Sequence, residues 1–406
     1  ILNNTQRGMR LHIGVFGRRN VGKSSIINSL TGQELSIVSD IAGTTTDVVQ
    51  KSMEMLPLGP VLFLDTAGID DEGALGEKRI EKTKQAYERT DLALIVCDYN
   101  GFGNFEKELF EEFAKRKIPS VVVINKNDIK NIQHEKLEEI RNYTTNVISV
   151  SANDQASINE LKKKIIDSVP QEYLDNPQIV SDFLNEGDIC LLVTPIDKEA
   201  PRGRLILPQV QTIRDVLDKN AICLVVKETE LNKSFDILKI RPKLVVTDSQ
   251  AFKTVSEIVP QDVLMTSFSI AFARLKGDLK SFACGANAID ALQNGDRILI
   301  SESCTHHQIE DDIARVKIPN LLRKYTQKEL IFEYSRGHDF PENLSDYKLI
   351  IHCGACMTNR REVLSRIMKA YDSGVPITNY GITIAKCLGI LDRALKPFSI
   401  NEKRTS

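Results

Sequence analysis

The segment Gly17-Arg-Arg-Asn-Val-Gly22-Lys23-Ser24 limits what this chain can become more than any other feature. It follows an apolar run over residues 11–16 and opens a helical pattern, the strand–loop–helix context that a G-x-x-x-x-G-K-S spacing needs before it carries meaning. There, glycines let main-chain N–H groups curl around phosphate oxygens at a helix N-terminus, where the peptide dipoles favour an anion. Lys23 reaches the outer phosphates and the Ser24 hydroxyl is placed for Mg2+. A chance glycine-rich turn is the plain alternative, and the flanking strand and helix weigh against it.

The pattern around this loop is repetitive in the α/β sense. Runs over residues 61–65, 92–98, 120–125 and 146–149 are apolar, nearly continuous and rich in β-branched residues, alternating with amphipathic helical stretches. Such runs suit strands covered on both faces of a parallel sheet, which predicts a doubly wound domain over residues 8–169. A polar stretch with two prolines, 170–177, reads as a linker. Residues 178–259 then give a small β-α-β unit, and residues 262–396 a third α/β pattern, with helices at 263–275, 311–322 and 361–373 and strands at 297–301, 330–334, 348–352 and 376–378. A chain of 406 residues accommodates two or three such domains. The middle unit buries little of its own surface, so association with a second copy, a homodimer, is expected.

Composition narrows the partners. Lys+Arg 53 against Asp+Glu 55 leaves a net charge of −2, so no general basic excess points to nucleic acid or to an anionic membrane, and an anionic ligand has to be caught locally. No apolar run approaches the ~20 residues that cross a bilayer. Eight cysteines, sparse and irregular, favour a reducing compartment with thiols used for packing or metal, hence a cytoplasmic protein. Cys97, Cys190 and Cys223 fall in apolar strands and Cys284 and Cys387 in helical patterns, where a thiol serves as core filler.

Four further segments fit one nucleotide. Asn125-Lys126-Asn127-Asp128 ends a predicted strand; its carboxylate can accept two hydrogen bonds, from an N1–H and an exocyclic amine, which guanine offers and adenine does not. An Asx-capped turn is the plainer reading of Asn125 and Asp128. Ser151-Ala152-Asn153 would bring a main-chain amide near the base carbonyl. Asp65-Thr-Ala-Gly68 places Asp65 for Mg2+ through water and the Gly68 amide for the γ-phosphate. Of Thr44, Thr45 and Thr46, one ligates Mg2+, assigned here to Thr45, with Thr44 on the nucleotide. Arg19, Asn20, Val21 and Ser25 complete the loop, and Arg18 and Arg19 either steer phosphates or are solvated. With all five motifs in order, residues 10–168 resemble a translation-factor-type GTPase, most closely the branch that includes the tRNA-modifying GTPases.

Position 69 is Ile, where Ras-like enzymes carry the Gln that orients the attacking water. The resemblance implies another device: in the tRNA-modifying branch the loop Asn helps bind K+, the role that falls to Asn20. A cation against the β- and γ-phosphates would offset charge developing on the leaving group. Glu77, twelve residues beyond Asp65, stands where that branch places a water-positioning Glu, although Asp70, Asp71 and Glu72 compete. Lys23, Thr45, Gly68 and Glu77 form the expected catalytic set.

The third domain carries Cys304-Thr-His306, a spacer of 45 residues, and His352-Cys353-Gly-Ala-Cys356. Both groups end predicted strands, and the carboxyl edge of a parallel sheet is where ligands bind. Spacing alone leaves zinc and an iron-sulfur cluster equally open. A GTPase of this branch, a small β-α-β domain and C-x-H followed by H-C-x-x-C together resemble the [FeFe]-hydrogenase maturation GTPases, over nearly the whole chain. That family implies three domains: a P-loop GTPase with a doubly wound sheet, a dimerisation domain, and an α/β iron-sulfur domain with a parallel sheet. It also implies GTP, Mg2+, K+, a [4Fe-4S] cluster on Cys304, Cys353 and Cys356, and a role as scaffold and carrier. A transient di-iron precursor built by two radical-SAM maturases would be delivered to apo-[FeFe]-hydrogenase. His306 and His352 are the nearest candidates for a fourth ligand, with His307, Glu302, Asp339 and Glu342 behind them. The competing reading is a zinc-containing switch GTPase in RNA modification or assembly.

Overall fold

The computed structural model describes residues 10–32, 49–66, 85–170, 178–196, 205–303, 312–355 and 358–398. The chain divides into two compact units, Ile1–Asn176 and Pro177–Ser406. In the first, β1 (Leu11–Phe16), α1 (Lys23–Thr31), β2 (Val49–Met55), β3 (Gly59–Asp65), β4 (Leu92–Cys97), α2 (Asn104–Lys115), β5 (Ser120–Ile124), α3 (His134–Tyr143), β6 (Val147–Ser149) and α4 (Gln155–Ser168) follow one another. They build a six-stranded sheet in the order β2-β3-β1-β4-β5-β6. β1 and β4 are buried along their whole length, as their nearly continuous apolar runs require when helices cover both faces.

β2 is the strand that the hydrophobic pattern does not announce. It pairs antiparallel with β3 at the sheet edge, from Val49 opposite Asp65 to Met55 opposite Gly59. An edge strand half open to water tolerates Gln50, Lys51, Ser52 and Glu54, so it lacks the apolar run that marks its neighbours.

The second unit holds two four-stranded parallel sheets over a continuous core that includes Leu191, Val245, Met265, Ile300, Ile350 and Ile377. The first sheet, ordered β10-β9-β7-β8, contains β7 (Ile189–Val193), β8 (Ile222–Val226), β9 (Leu244–Thr247) and β10 (Leu264–Ser267). Its helices are α5 (Leu207–Asp218), α6 (Leu231–Ile237) and α7 (Phe252–Ile258). The second, ordered β12-β11-β13-β14, contains β11 (Arg297–Glu302), β12 (Ile331–Arg336), β13 (Leu349–His352) and β14 (Ile377–Asn379). Around it lie α8 (Phe268–Lys276), α9 (Leu279–Gly285), α10 (Ile318–Thr326), α11 (Arg360–Asp372) and α12 (Tyr380–Cys387).

Residues 263–275, expected as one helix, begin instead as β10, which lies beside β9 with Leu264 opposite Leu244. Ser267 ends that strand and caps α8, its Oγ accepting the Ile270 amide at 3.2 Å. Four apolar or small residues running into an apolar helix leave no change of period to read. α6 and α7, each of seven residues, were likewise too short to show one.

Candidate functional site

At the carboxyl end of β1 the loop turns through Gly17 and Gly22, and Gly22, at φ 93°, starts α1. A Cβ on Gly22 would come within 2.2 Å of the Asn125 side-chain nitrogen, so only glycine fits. That nitrogen donates to the Val21 carbonyl at 2.9 Å, while Asn125 Oδ1 accepts the Ala152 amide at 3.2 Å. One buried Asn thus stitches three of the predicted nucleotide-binding segments together. Lys23 is buried, its ammonium held by the carbonyls of Gly17 and Arg18 at 2.8 and 2.7 Å. Lys126, at φ 64°, reaches back to the Asn20 carbonyl at 2.5 Å. Asn20 itself is exposed with φ 63°, and Arg19 and Ser25 are exposed beside it.

Ser24 Oγ donates to Asp65 Oδ2 at 2.7 Å. A hydroxyl and a carboxylate this close present oxygens of the kind that Mg2+ prefers. Burial raises the Asp65 carboxyl above its ordinary value, against the opposing pull of Ser24, Lys23 and Lys51, as expected of a carboxylate that lacks a full positive counter-charge. Asp128 is the reverse case. Its carboxylate is lowered, first by the Ser151 hydroxyl and then by Asn153, whose Nδ2 lies 3.3 Å away. It therefore presents an ionised acceptor towards solvent. Arg18 is not simply solvated: its guanidinium forks onto Glu106 at 2.7 and 2.9 Å, and Glu106 Oε2 accepts the Gly103 amide that starts α2.

The second site lies at the carboxyl edge of the last sheet. β11 and β13 are neighbours, with Ser301 opposite His352. Just beyond them the Ser303 amide donates to Cys353 Sγ at 3.1 Å, and the Ala355 amide approaches the same sulfur at 3.4 Å. Ala355 sits at φ 55°, the left-handed conformation that bends the Cys353-Gly-Ala turn around the sulfur. Burial pushes the Cys353 thiol up, but His352 and the two amides outweigh it and bring it down to about 6. A half-buried thiolate that receives main-chain N–H groups has the chemistry of a soft-metal ligand. Cys304 and Cys356 are each one peptide link past Ser303 and Ala355 in sequence; both lie outside the described residues, as do His306 and His307.

His352 is buried, with both ring nitrogens engaged: Nδ1 is 2.8 Å from the Cys353 carbonyl and Nε2 is 3.1 Å from Arg366. Glu302 is held by Arg315 at 3.3 Å and Arg336 at 3.8 Å, while Asp339 and Glu342 are exposed. Arg366 and Glu362, central to this edge, escaped sequence reasoning, because charges at i and i+4 on a helix ordinarily read as a solvated pair. Thr44, Thr45, Thr46, Gly68, Glu77 and the competing Asp70, Asp71 and Glu72 fall outside the described residues. Cys97, Cys190 and Cys387 behave as filler: burial drives Cys97 and Cys387 up to about 12 and Cys190 well above its ordinary value.

The first unit of the chain is similar to known GTPases and the second to domains of one further family. The tRNA modification GTPase MnmE of Clostridioides difficile is 37% identical over 155 residues, 37% of this chain and 33% of that protein. GTPase Der of Wolinella succinogenes is 37% identical over 166 residues, 38% of this chain and 35% of its own length. The chain thus spans about one third of the length of these curated relatives. Among solved structures, a variant of Aquifex aeolicus Era bound to GDP·AlF4− covers 53% of this chain and 92% of its own, at 23% identity and a TM-score of 0.35. Residues 12–126 match the 50S ribosome-binding GTPase family, residues 179–277 the hydrogen maturase F dimerization domain, and residues 280–397 the hydrogen maturase F tetramerization domain. With the last two together spanning more than half of its length, this chain belongs to the hydrogen maturase F family and carries a GTPase domain ahead of them.

Proposed function

We propose that the protein is a GTP-hydrolysing scaffold of [FeFe]-hydrogenase maturation, carrying a [4Fe-4S] cluster on Cys304, Cys353 and Cys356. The observation that carries this reading is the 3.1 Å hydrogen bond from Ser303 to Cys353 Sγ. It ties the strand end that leads into Cys304 to the turn that leads into Cys356. Three thiolates drawn from two strand ends leave a fourth iron position for a weaker ligand. When bound, the cluster would supply an iron site open to an external bridging group. The chain's own contribution is a fixed, amide-lined thiolate at a sheet edge. The incoming di-iron precursor from the two radical-SAM maturases is cargo, and apo-hydrogenase its recipient.

The first unit supports hydrolysis of GTP in the same spirit. Asp128 would accept from the guanine edge, Ser24 and Asp65 would hold Mg2+, Lys23 would exchange the loop carbonyls for phosphate oxygens, and Asn20 would help to hold K+. Thr45, Gly68 and Glu77 keep their expected roles in the switch segments. Loop reordering on hydrolysis would then time cargo handover or partner release. Except that β10 pairs with β9 and so moves the boundary between the second and third domains beyond Ser267, the domain limits 8–169, 178–259 and 262–396 belong to this reading. So does a homodimer through the first small sheet, whose edge strand β8 exposes Ile222 and Val225. No helix among the described residues is long and apolar enough to cross a membrane.

Metal analysis after anaerobic purification tests the proposal. Iron and sulfide in roughly equal amounts with broad visible absorption are expected; a colourless protein holding zinc would contradict it and favour the RNA-modification GTPase reading.

A further inference from the structure

Behind the Cys353 turn lies a chain of buried charge that the nucleotide chemistry does not use. Arg366, on α11, is 1% exposed. Its NH1 contacts Ser301 Oγ and His352 Nε2, both at 3.1 Å, and its NH2 donates to the Gly337 carbonyl at 2.6 Å and to Glu362 Oε1 at 2.7 Å. Glu362, 3% exposed, also meets His338 Nδ1 at 3.0 Å. One guanidinium therefore joins the ends of β11 and β13, the turn after β12 and its own helix. A buried Arg costs several kcal/mol in desolvation unless its donors are used, and here they are spent on Glu362, Gly337 and the strand ends that lead to the cysteines.

The contact with His352 has a definite chemical consequence. Arginine only donates, so His352 Nε2 must be the bare, accepting nitrogen. The imidazole proton then sits on Nδ1, where it can donate to the Cys353 carbonyl 2.8 Å away. We propose that Arg366 is a positioning residue for the cluster turn: it fixes His352 as the Nδ1–H tautomer, which clamps the Cys353 main chain and keeps the imidazole out of metal coordination. This rests on the reading of Cys353 as a cluster ligand. On this account His352 is a brace and the fourth iron position belongs to another group.

The test uses full-length protein with 15N-labelled histidine rings, studied by NMR without metal and then reconstituted anaerobically with iron and sulfide. In the wild type, His352 is expected as the Nδ1–H tautomer before reconstitution. Arg366→Met is expected to release that preference and to weaken iron retention by about 10–100-fold, the usual cost of removing a group that orients a ligand. His352→Gln, which leaves the Arg366–Glu362 pair in place, is expected to bind iron more weakly yet give the same cluster absorption and EPR spectrum. An Nε2–H tautomer in the wild type overturns the proposal without need of any variant. So does a folded Arg366→Met protein with unchanged tautomer and iron retention, or a nitrogen hyperfine coupling from His352 to the cluster. Wild-type protein that shows the Nδ1–H tautomer but holds no iron overturns the cluster reading itself, and the positioning role with it.

Discussion

Cys353 and Asp128 are lowered by the same physics, one at a half-buried sheet edge and one at the surface. Around Cys353, burial disfavours charge, but a histidine and two amides aimed at the sulfur win, and the thiol comes down to about 6 from 9.0. The sign follows: the stabilisation from ionising Cys353 is complete above 9.0, partial below it, and lost as the pH falls through about 6. In metal-free protein, iodoacetamide should label Cys353 at a pH below the ordinary thiol value, because main-chain amides donate to its sulfur, with Cys97 and Cys387 inert because theirs stand at about 12. Labelling that titrates at the ordinary thiol value would remove the argument. Asp128 is held ionised by Ser151 and Asn153 at the surface. Asp128→Ala should cost about 3 kcal/mol, roughly 100-fold in GTP affinity, since two hydrogen bonds to a charged acceptor disappear; calorimetry with unchanged affinity would show that the base is read elsewhere.

Among the elements, strands packed on both faces were legible, while edge strands were read unevenly: β6, β12 and β14 were found and β2 and β10 were not. β1, β4 and β5 show themselves as nearly continuous apolar runs because helices cover them on both sides. β2 hides behind polar residues that an edge allows, and β10 hides inside the apolar start of α8. The phosphate loop and both cysteine stretches could be read because each is local. The Arg366 network could not, since its partners come from four segments that only the fold brings together. The phosphate loop is also sensitive to a single methyl group. Gly22→Ala should abolish nucleotide binding while leaving the rest of the sheet folded, because the new Cβ meets Asn125 and the residue must hold φ 93°. Nucleotide affinity in that variant within a few-fold of wild type would contradict this account of the loop.

At the scale of the whole molecule there are two compact units, and on the proposed reading each carries its own chemistry, so each should fail alone. Lys23→Ala should lose GTP turnover and keep its iron. For the oligomer, Ile222→Lys should shift the protein towards monomer in light scattering, a charge on an open strand edge being a strong bar to pairing; an unchanged mass would place the interface elsewhere. The central claim is that the edge formed by β11 and β13 grips an iron cluster through Cys353. The most direct measurement is iron and sulfide content after anaerobic reconstitution of wild-type and Cys353→Ser chains side by side. The account predicts about four iron atoms per wild-type chain and a large loss in the variant with GTP hydrolysis intact. A Cys353→Ser protein that assembles the same cluster in the same amount would contradict it.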